Sequence, residues 1–167
     1  MATGMIFNNA RVLISTATCN EPLLASSGMY DVSAFMQQVR INLDAELRDN
    51  TVMGMSYRSQ IPALRSATIE GRALQQFSIV AEPVTMGTTG TARSIHGLLF
   101  DLYSSASKFI VAVKPDGAAT RTSCNPEMWM PASLQTHVPV DGAVADLLVS
   151  AVRFNSQGNF VNTVSSS

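Results

Sequence analysis

From Val39 to Arg48 the chain alternates apolar and polar residues without a break: Val39, Ile41, Leu43, Ala45 and Leu47 against Arg40, Asn42, Asp44, Glu46 and Arg48. A period of two belongs to a β-strand with one buried and one wet face. A helix has a period of 3.6 and would scatter both sets around its circumference. The spacing therefore predicts a strand with Val39, Ile41, Leu43 and Leu47 facing a core. Its wet face (Arg40, Asn42, Asp44, Glu46 and Arg48) carries both signs of charge and can form a ladder across neighbouring strands or subunits.

Residues 66–73 alternate again, with Gly71 marking a bulge or a close backbone approach. Residues 77–80 extend that strand or begin a neighbour. Between the two strands, residues 49–63 hold Gly54 and Pro62 but no periodicity, and read as a long loop of the kind that forms interfaces. Residues 83–91, with Gly87 and Gly90, read as a second loop. Thr91 or Ser94 caps a predicted helix reaching about Ser104, on which Ile95, Leu98, Leu99, Leu102 and, at its margin, Tyr103 fall at helical spacing and form one stripe.

Residues 109–113 are β-rich and end in Lys114-Pro115-Asp116-Gly117, a strong turn signal. Residues 128–138 read as a strand, in which Pro131 cannot donate to a ladder and so marks an edge or a bulge. Asp141-Gly142 reads as another turn, residues 145–154 as the last strong strand and 158–164 as a short one. The expectation is a mainly β chain, a β-sandwich or open barrel with one flanking helix. Residues 1–28 are read as an arm or irregular segment, 29–164 as one β-rich domain and 165–167 as a tail.

At 46% hydrophobic, 167 residues can bury a core without metal or disulfide help. Only 14% are charged, against ~25% in soluble proteins. A surface so poor in charge suggests that neighbouring subunits cover much of it. The net charge of -1 gives no overall basic footprint for gripping nucleic acid. Cys19 and Cys124 fit neither a metal-ligand spacing nor a redox pair, and are two reduced thiols or one long-range disulfide. No signal peptide and no membrane-spanning run is recognised, so the expectation is a soluble protein made in a cytoplasm.

No catalytic constellation emerges. His96 and His137 are isolated in the sequence, and no Gly-x-Ser-x-Gly elbow is present. The run Gly87-Thr88-Thr89-Gly90 lacks the lysine that a phosphate cradle needs. Metal ligands are not grouped, and neither a metal nor a cofactor is expected. Met53, Met55, Met86, Met128 and Met130 lie in loops or beside turns, as core filler or as inter-subunit packing.

Asp31-Val32-Ser33, the alternating strand, Asp49-Asn50-Thr51-Val52-Met53-Gly54, Arg58, Ile61-Pro62-Ala63-Leu64 and Ser66-Ala67-Thr68-Ile69-Glu70-Gly71 follow one another in an order that resembles major tail tube proteins of long, non-contractile phage tails. Their opening Asp-(Ile/Val)-Ser, a strand, an Asp-x-Thr-x-x-Gly step and a second strand recur here, with Ala63-Leu64 where glycine-leucine is more usual. The C-terminal half is similar in outline, through Pro115-Asp116-Gly117, Asn125-Pro126 and Pro139-Val140-Asp141-Gly142-Ala143. The resemblance covers about two-thirds of the chain by the notation of those segments.

The resemblance implies a non-enzymatic virion subunit that forms rings, commonly hexameric, stacked into a hollow tube that conducts DNA without binding it specifically. The lumen is expected to be neutral or acidic. Implied partners are further copies of the chain and the tape measure, terminator and distal tail proteins, with no membrane. Residues 50–64 would reach the adjacent ring, with Asn50, Thr51, Met53, Met55, Tyr57, Arg58 and Ile61 as contact candidates. Arg40, Asn42, Asp44, Glu46 and Arg48 would line the lumen or a ladder between subunits. The alternatives are a coat, decoration or secretion-tube protein and, from a different class, a small ligand-binding β-barrel or enzyme.

Overall fold

The computed structural model describes residues 10–16, 29–53, 57–75, 94–117, 125–139, 141 and 148–163. Along the chain come β1 (Arg11–Ser15), β2 (Met29–Asp31), a single 3-10 turn (Ser33–Phe35), β3 (Met36–Asp49), β4 (Gln60–Leu74), α1 (Ile95–Ser105), β5 (Phe109–Lys114), β6 (Glu127–His137), β7 (Val149–Ser156) and β8 (Val161–Thr163). All strand pairings are antiparallel, in the order β2-β1-β5-β6-β7-β4-β3, with β8 also on β6. The mainly β expectation with one flanking helix holds.

One core joins both halves of this sheet. Val12 and Ile14 of β1, Phe109 and Val111 of β5, Met130 of β6, Phe154 of β7 and Ile69 of β4 share a buried cluster with Ile95, Leu98, Leu99 and Leu102 of α1. Strands at opposite ends of the order can meet in one cluster only if the sheet curls around its contents, as an open barrel does. The helix closes that cavity because its apolar residues recur at i, i+3, i+4 and i+7. Its start is fixed by Ser94, whose hydroxyl accepts from Gly97 N at 3.0 Å. Its end is fixed by Ala106 in the left-handed region, at φ 48°.

One expectation about the first residues changes. Residues 1–28 are not all outside the domain, because β1 lies in the core with Val12, Leu13 and Ile14 buried. Its neighbour β2 explains the Asp31-Val32-Ser33 opening. Asp31 accepts from Ser33 N at 3.0 Å and pairs with Arg11 at 3.0 Å, and the Ser33 hydroxyl accepts from Val12 N at 2.8 Å. The motif ties β1 to the start of the long hairpin.

β3 and β4 are also longer than the alternation predicts. β3 runs to Asp49 and β4 begins at Gln60, so the loop read over residues 49–63 shrinks to the ten positions between them (60 − 49 − 1). Gly71 pairs with Val39 and packs under Met36, and a Cβ there would come within 3.2 Å of Gln38 O. Glycine is the residue that allows this close approach, at a register shift between Met36 and Gln38.

Pro131 lies inside β6, with β5 on one side and β7 and β8 on the other. It is central, and the irregularity that its missing N–H imposes falls on its neighbours. β7 ends at Ser156, Gln157 N donates to Pro131 O at 2.8 Å, and β8 resumes at Val161. Residues 77–80 and 83–91, Cys19, Cys124, Met55, Met86 and Gly142 lie outside the described residues.

Phe154 is 1% exposed and meets Phe109 edge-to-face, with ring centroids 5.7 Å apart at 82°. We expect Phe154→Ala to cost about 3–5 kcal/mol, read as a lower urea midpoint with the strand-type circular dichroism retained before the transition.

Candidate assembly interface

The pairing of β4 with β7 begins at Thr68↔Asn155. Residues 60–67 therefore continue past β7 with only β3 beside them, projecting about 25 Å at ~3.3 Å per residue. This arm is where the core expectation for β3 divides. Val39 and Ile41 pack against the core, whereas Leu43 is 61% and Leu47 58% exposed. Their side chains point the way the alternation predicts, but no part of the described chain lies over them.

The other apolar residues of the arm are uncovered too. Leu64 is 68% exposed, and Ile61, 49% exposed, pairs with Arg48 and so shares the arm's second face. A two-stranded hairpin is marginal on its own in water. One with bare leucines and an isoleucine on both faces is built to be covered. Beside its base a cavity of about 700 Å³ opens between Leu43 and Ala45 of the arm and Phe160 and Val161 of the β7–β8 connection.

The tip is drawn together at its neck. Asn50 N donates to Ser59 O at 3.0 Å, and Ser59 N donates to the Thr51 hydroxyl at 3.0 Å. Thr51 gives both its N–H, at 2.8 Å, and its hydroxyl to Asp49 Oδ1. Arg58 pairs with Asp49 Oδ2 at 3.2 Å. These bonds hold the Asp49 carboxyl below its usual pKa, the Thr51 hydroxyl contributing most, then the Thr51 amide, with Arg58 adding to them. The Asp-x-Thr step of the sequence is thus a clasp. Beyond it Met53 and Tyr57 are fully or almost fully exposed, at 105% and 86%.

The contact candidates therefore separate by role. Asn50, Thr51 and Arg58 shape the neck; Met53, Tyr57 and Ile61 present apolar surface; Met55 lies outside the described residues. Gln60 to Leu64, expected in a loop, belong to β4. The loop reading was misled by Pro62, which is tolerated because the arm's β4 is paired on one side only.

The ladder candidates stand together on the face of β3 away from the core. Arg40 lies opposite Glu70, Asn42 opposite Thr68 and Asp44 opposite Ser66. Glu46 and Arg48 pair with each other at 3.6 Å, farther out on the arm. The strand continues through β4 to β7, where Glu70 faces Arg153 at 3.5 Å. This face is polar across three strands.

One cluster had no signal in the sequence. His96 of α1 and His137 of β6 come together with ring centroids 5.9 Å apart, and His137 Nδ1 is 3.2 Å from the Ser150 hydroxyl. Burial, and secondly the neighbouring His96, push the His137 pKa below its ordinary 6.5. Among the described residues no group of three or more His, Cys, Asp or Glu is placed to hold a metal ion.

No family model matches the sequence, and no curated protein matches it. Solved structures do match. The SPP1 tail tube superposes with a TM-score of 0.63 at 8% identity, over 98% of this chain and 81% of that one. This chain has the tail-tube fold. The tail of an empty gene transfer agent particle with C6 symmetry has a TM-score of 0.59 at 14% identity, over 98% of this chain and 100% of that one. The six-fold symmetrised baseplate of the anti-feeding prophage gives 0.55 at 9%, over 98% of both chains. At identities of 8–14% these likenesses show a shared fold.

Two measurements check these sites. Thr51→Val removes the clasp at an exposed position, so we expect the Ser59 amide to exchange with deuterium at least about ten-fold faster, with the global urea midpoint little changed. His137 binds its proton less readily folded than unfolded, so folding releases it. The stability this gives is present above pH about 6.5 and is lost as pH falls from there toward the lower folded value. We expect the urea midpoint to fall between pH 7.5 and 5.0, with part of that fall abolished in His137→Asn.

Proposed function

We propose that the protein is a structural, non-enzymatic subunit of a phage tail tube, a virion component. Its rings would contain six subunits and stack into a hollow tube whose lumen conducts DNA during ejection. The observation that carries this reading is the arm: within a tail-tube fold, a long hairpin leaves Leu43, Leu47, Ile61 and Leu64 bare. Burying each such side chain fully in a neighbour is worth about 1.5–3 kcal/mol. Covering them between adjacent rings would also order the arm.

Closure within a ring has its own requirement. Among the described residues β3 and β2 are the two edges of the sheet, and β3 is 14 residues long. A long free edge invites another chain. Joining one subunit's β3 to its neighbour is a head-to-tail contact, which closes into a ring when the rotation allows. The inner barrel would then have no free edge, and the polar face of β3, β4 and β7 would line the lumen. Copies of this chain are the principal partners, with tape measure, terminator and distal tail proteins at the ends. No helix among the described residues is long and apolar enough to cross a membrane.

The likeness to a baseplate protein of the anti-feeding prophage favours one second reading, a tube subunit of an injection or secretion device. Ring formation would be common to both.

Negative-stain electron microscopy of the concentrated protein tests the reading, with rings or stacked hollow tubes expected. Leu43→Lys with Leu47→Lys places charges on the arm without touching the core. We expect it to keep the circular dichroism spectrum and to sediment as single rings or monomers. Tubes of normal length from that variant would remove the arm from the interface.

A further inference from the structure

The polar face holds a charge cluster that the proposed contacts of the arm do not involve. Arg40, Glu70 and Arg153 stand opposite one another in a single row across β3, β4 and β7. Neighbouring strands lie about 4.8 Å apart, so the two arginines flank Glu70 with about 10 Å between their backbones. Arg72 is two residues along β4 from Glu70, on the same face and about 7 Å away. All three arginines are exposed.

Their partners do not balance them. Arg153 Nε is 3.5 Å from Glu70 Oε1, while Arg40 Nε donates to the neutral Asn42 Oδ1 at 2.8 Å. No acidic partner stands beside Arg72 among the described residues. Three guanidinium groups against one carboxylate leave a local excess of two positive charges in a chain of net charge -1. The acids Asp44 and Glu46 lie farther out on the arm, where Glu46 pairs with Arg48. Thr136, which pairs with Arg153 in register, adds a hydroxyl at the edge of the cluster.

We propose that the Arg40–Arg72–Arg153 cluster is a weak contact site for the phosphate backbone of a nucleic acid. A guanidinium presents a planar fork that matches phosphate oxygens in pairs. A duplex carries one charge per ~1.7 Å of its axis, so a cluster spanning about 10 Å meets several phosphates at once. Glu70 competes for Arg153 and keeps the contact weak. The inference rests on the reading that this face lines a DNA-conducting channel, and it reverses the expectation of a neutral or acidic lining.

The test is fluorescence anisotropy of a labelled 20-base-pair duplex with the full chain between 20 and 200 mM salt, with poly-glutamate as a second probe. Each phosphate contact contributes about -0.9 to the slope of log affinity against log salt, so we expect a slope of about -2 to -3. Arg40→Gln with Arg72→Gln should reduce its magnitude by about two. Glu70→Gln should strengthen binding, a gain that misfolding cannot imitate. A flat salt response, a slope unaltered in the double variant, or equal arginine-dependent binding of poly-glutamate would overturn the proposal. Tube formation is read separately by electron microscopy. Arginine-dependent binding without tubes upholds the contact and sinks the tube reading, whereas tubes without binding do the reverse.

Discussion

The missing N–H of Pro131 shapes the half of the sheet from which the arm grows. In an antiparallel ladder the N–H and C=O of one residue point to the same side. Gln157 donates to Pro131 O, so the bare proline nitrogen also faces β7 and β8. The ladder cannot continue there, and β7 gives way to a bulged connection before β8 resumes. Gly158 lets that connection lie against the ring, since a Cβ there would be 3.1 Å from Pro131 Cγ. As β7 departs it releases β4: the last paired residue is Thr68, and the Ser156 hydroxyl takes the next amide, Ala67 N, at 3.2 Å. Everything of β4 before that point has β3 alone for a neighbour and becomes the arm. A single proline in one strand thus sets where a different hairpin leaves the body.

Alternation reveals which face a side chain occupies but not what covers that face, and this divides the legible from the illegible here. Val39 and Leu43 carry the same signal, yet one packs on the core and the other is bare, because β7 extends beside Gly71, the β4 partner of Val39, but not beside Ala67, the partner of Leu43. β1 was illegible for the opposite reason. Val12, Leu13 and Ile14 are buried on both sides of the sheet, Leu13 in a small outer cluster with Met29 and Ala112, so the run has no period to detect. The helix was legible from its cap and its stripe, both of which are local. The histidine pair was not, since His96 and His137 meet only when α1 docks on β6. Of the candidate contact residues, Thr51, with Asp49 before it, carried a recognisable step whose clasp geometry needed Ser59 and Arg58 to return beside it.

The low charge content and the bare arm are two views of one surface. Charged residues keep soluble monomers apart, and this chain has few of them for its size. Of those on the arm, Arg48 with Glu46 and Arg58 with Asp49 form pairs, while Asp44 lies opposite Ser66 and Arg65 opposite Ala45. Exposed pairs contribute little to stability, about 0–1 kcal/mol. Their value in the proposed assembly is that the pairs themselves carry no net charge into a contact, whereas Arg65 and Asp44 would need partners on the neighbour when Leu43, Leu47, Ile61 and Leu64 are covered. An arm with bare apolar residues on both faces suits insertion between neighbours better than docking on one.

The polar face obeys a different requirement. A conduit for a polyanion must neither repel it strongly nor hold it, and affinity for phosphate grows with the number of cations that displace counterions. A wholly acidic lining would raise the cost of entry, and an unopposed arginine belt would retain the polymer. Placing Glu70 between Arg40 and Arg153 moderates the second effect while keeping both arginines extended across the sheet by strand register. Cross-strand pairing makes this possible, since it fixes three charges on three different strands at one level. In a closed ring the same row would recur in every subunit, so each phosphate leaving one cluster would find an equivalent one beside it. Weak, repeated contact of that kind lets a chain slide, and the register of β3, β4 and β7 is what would repeat it.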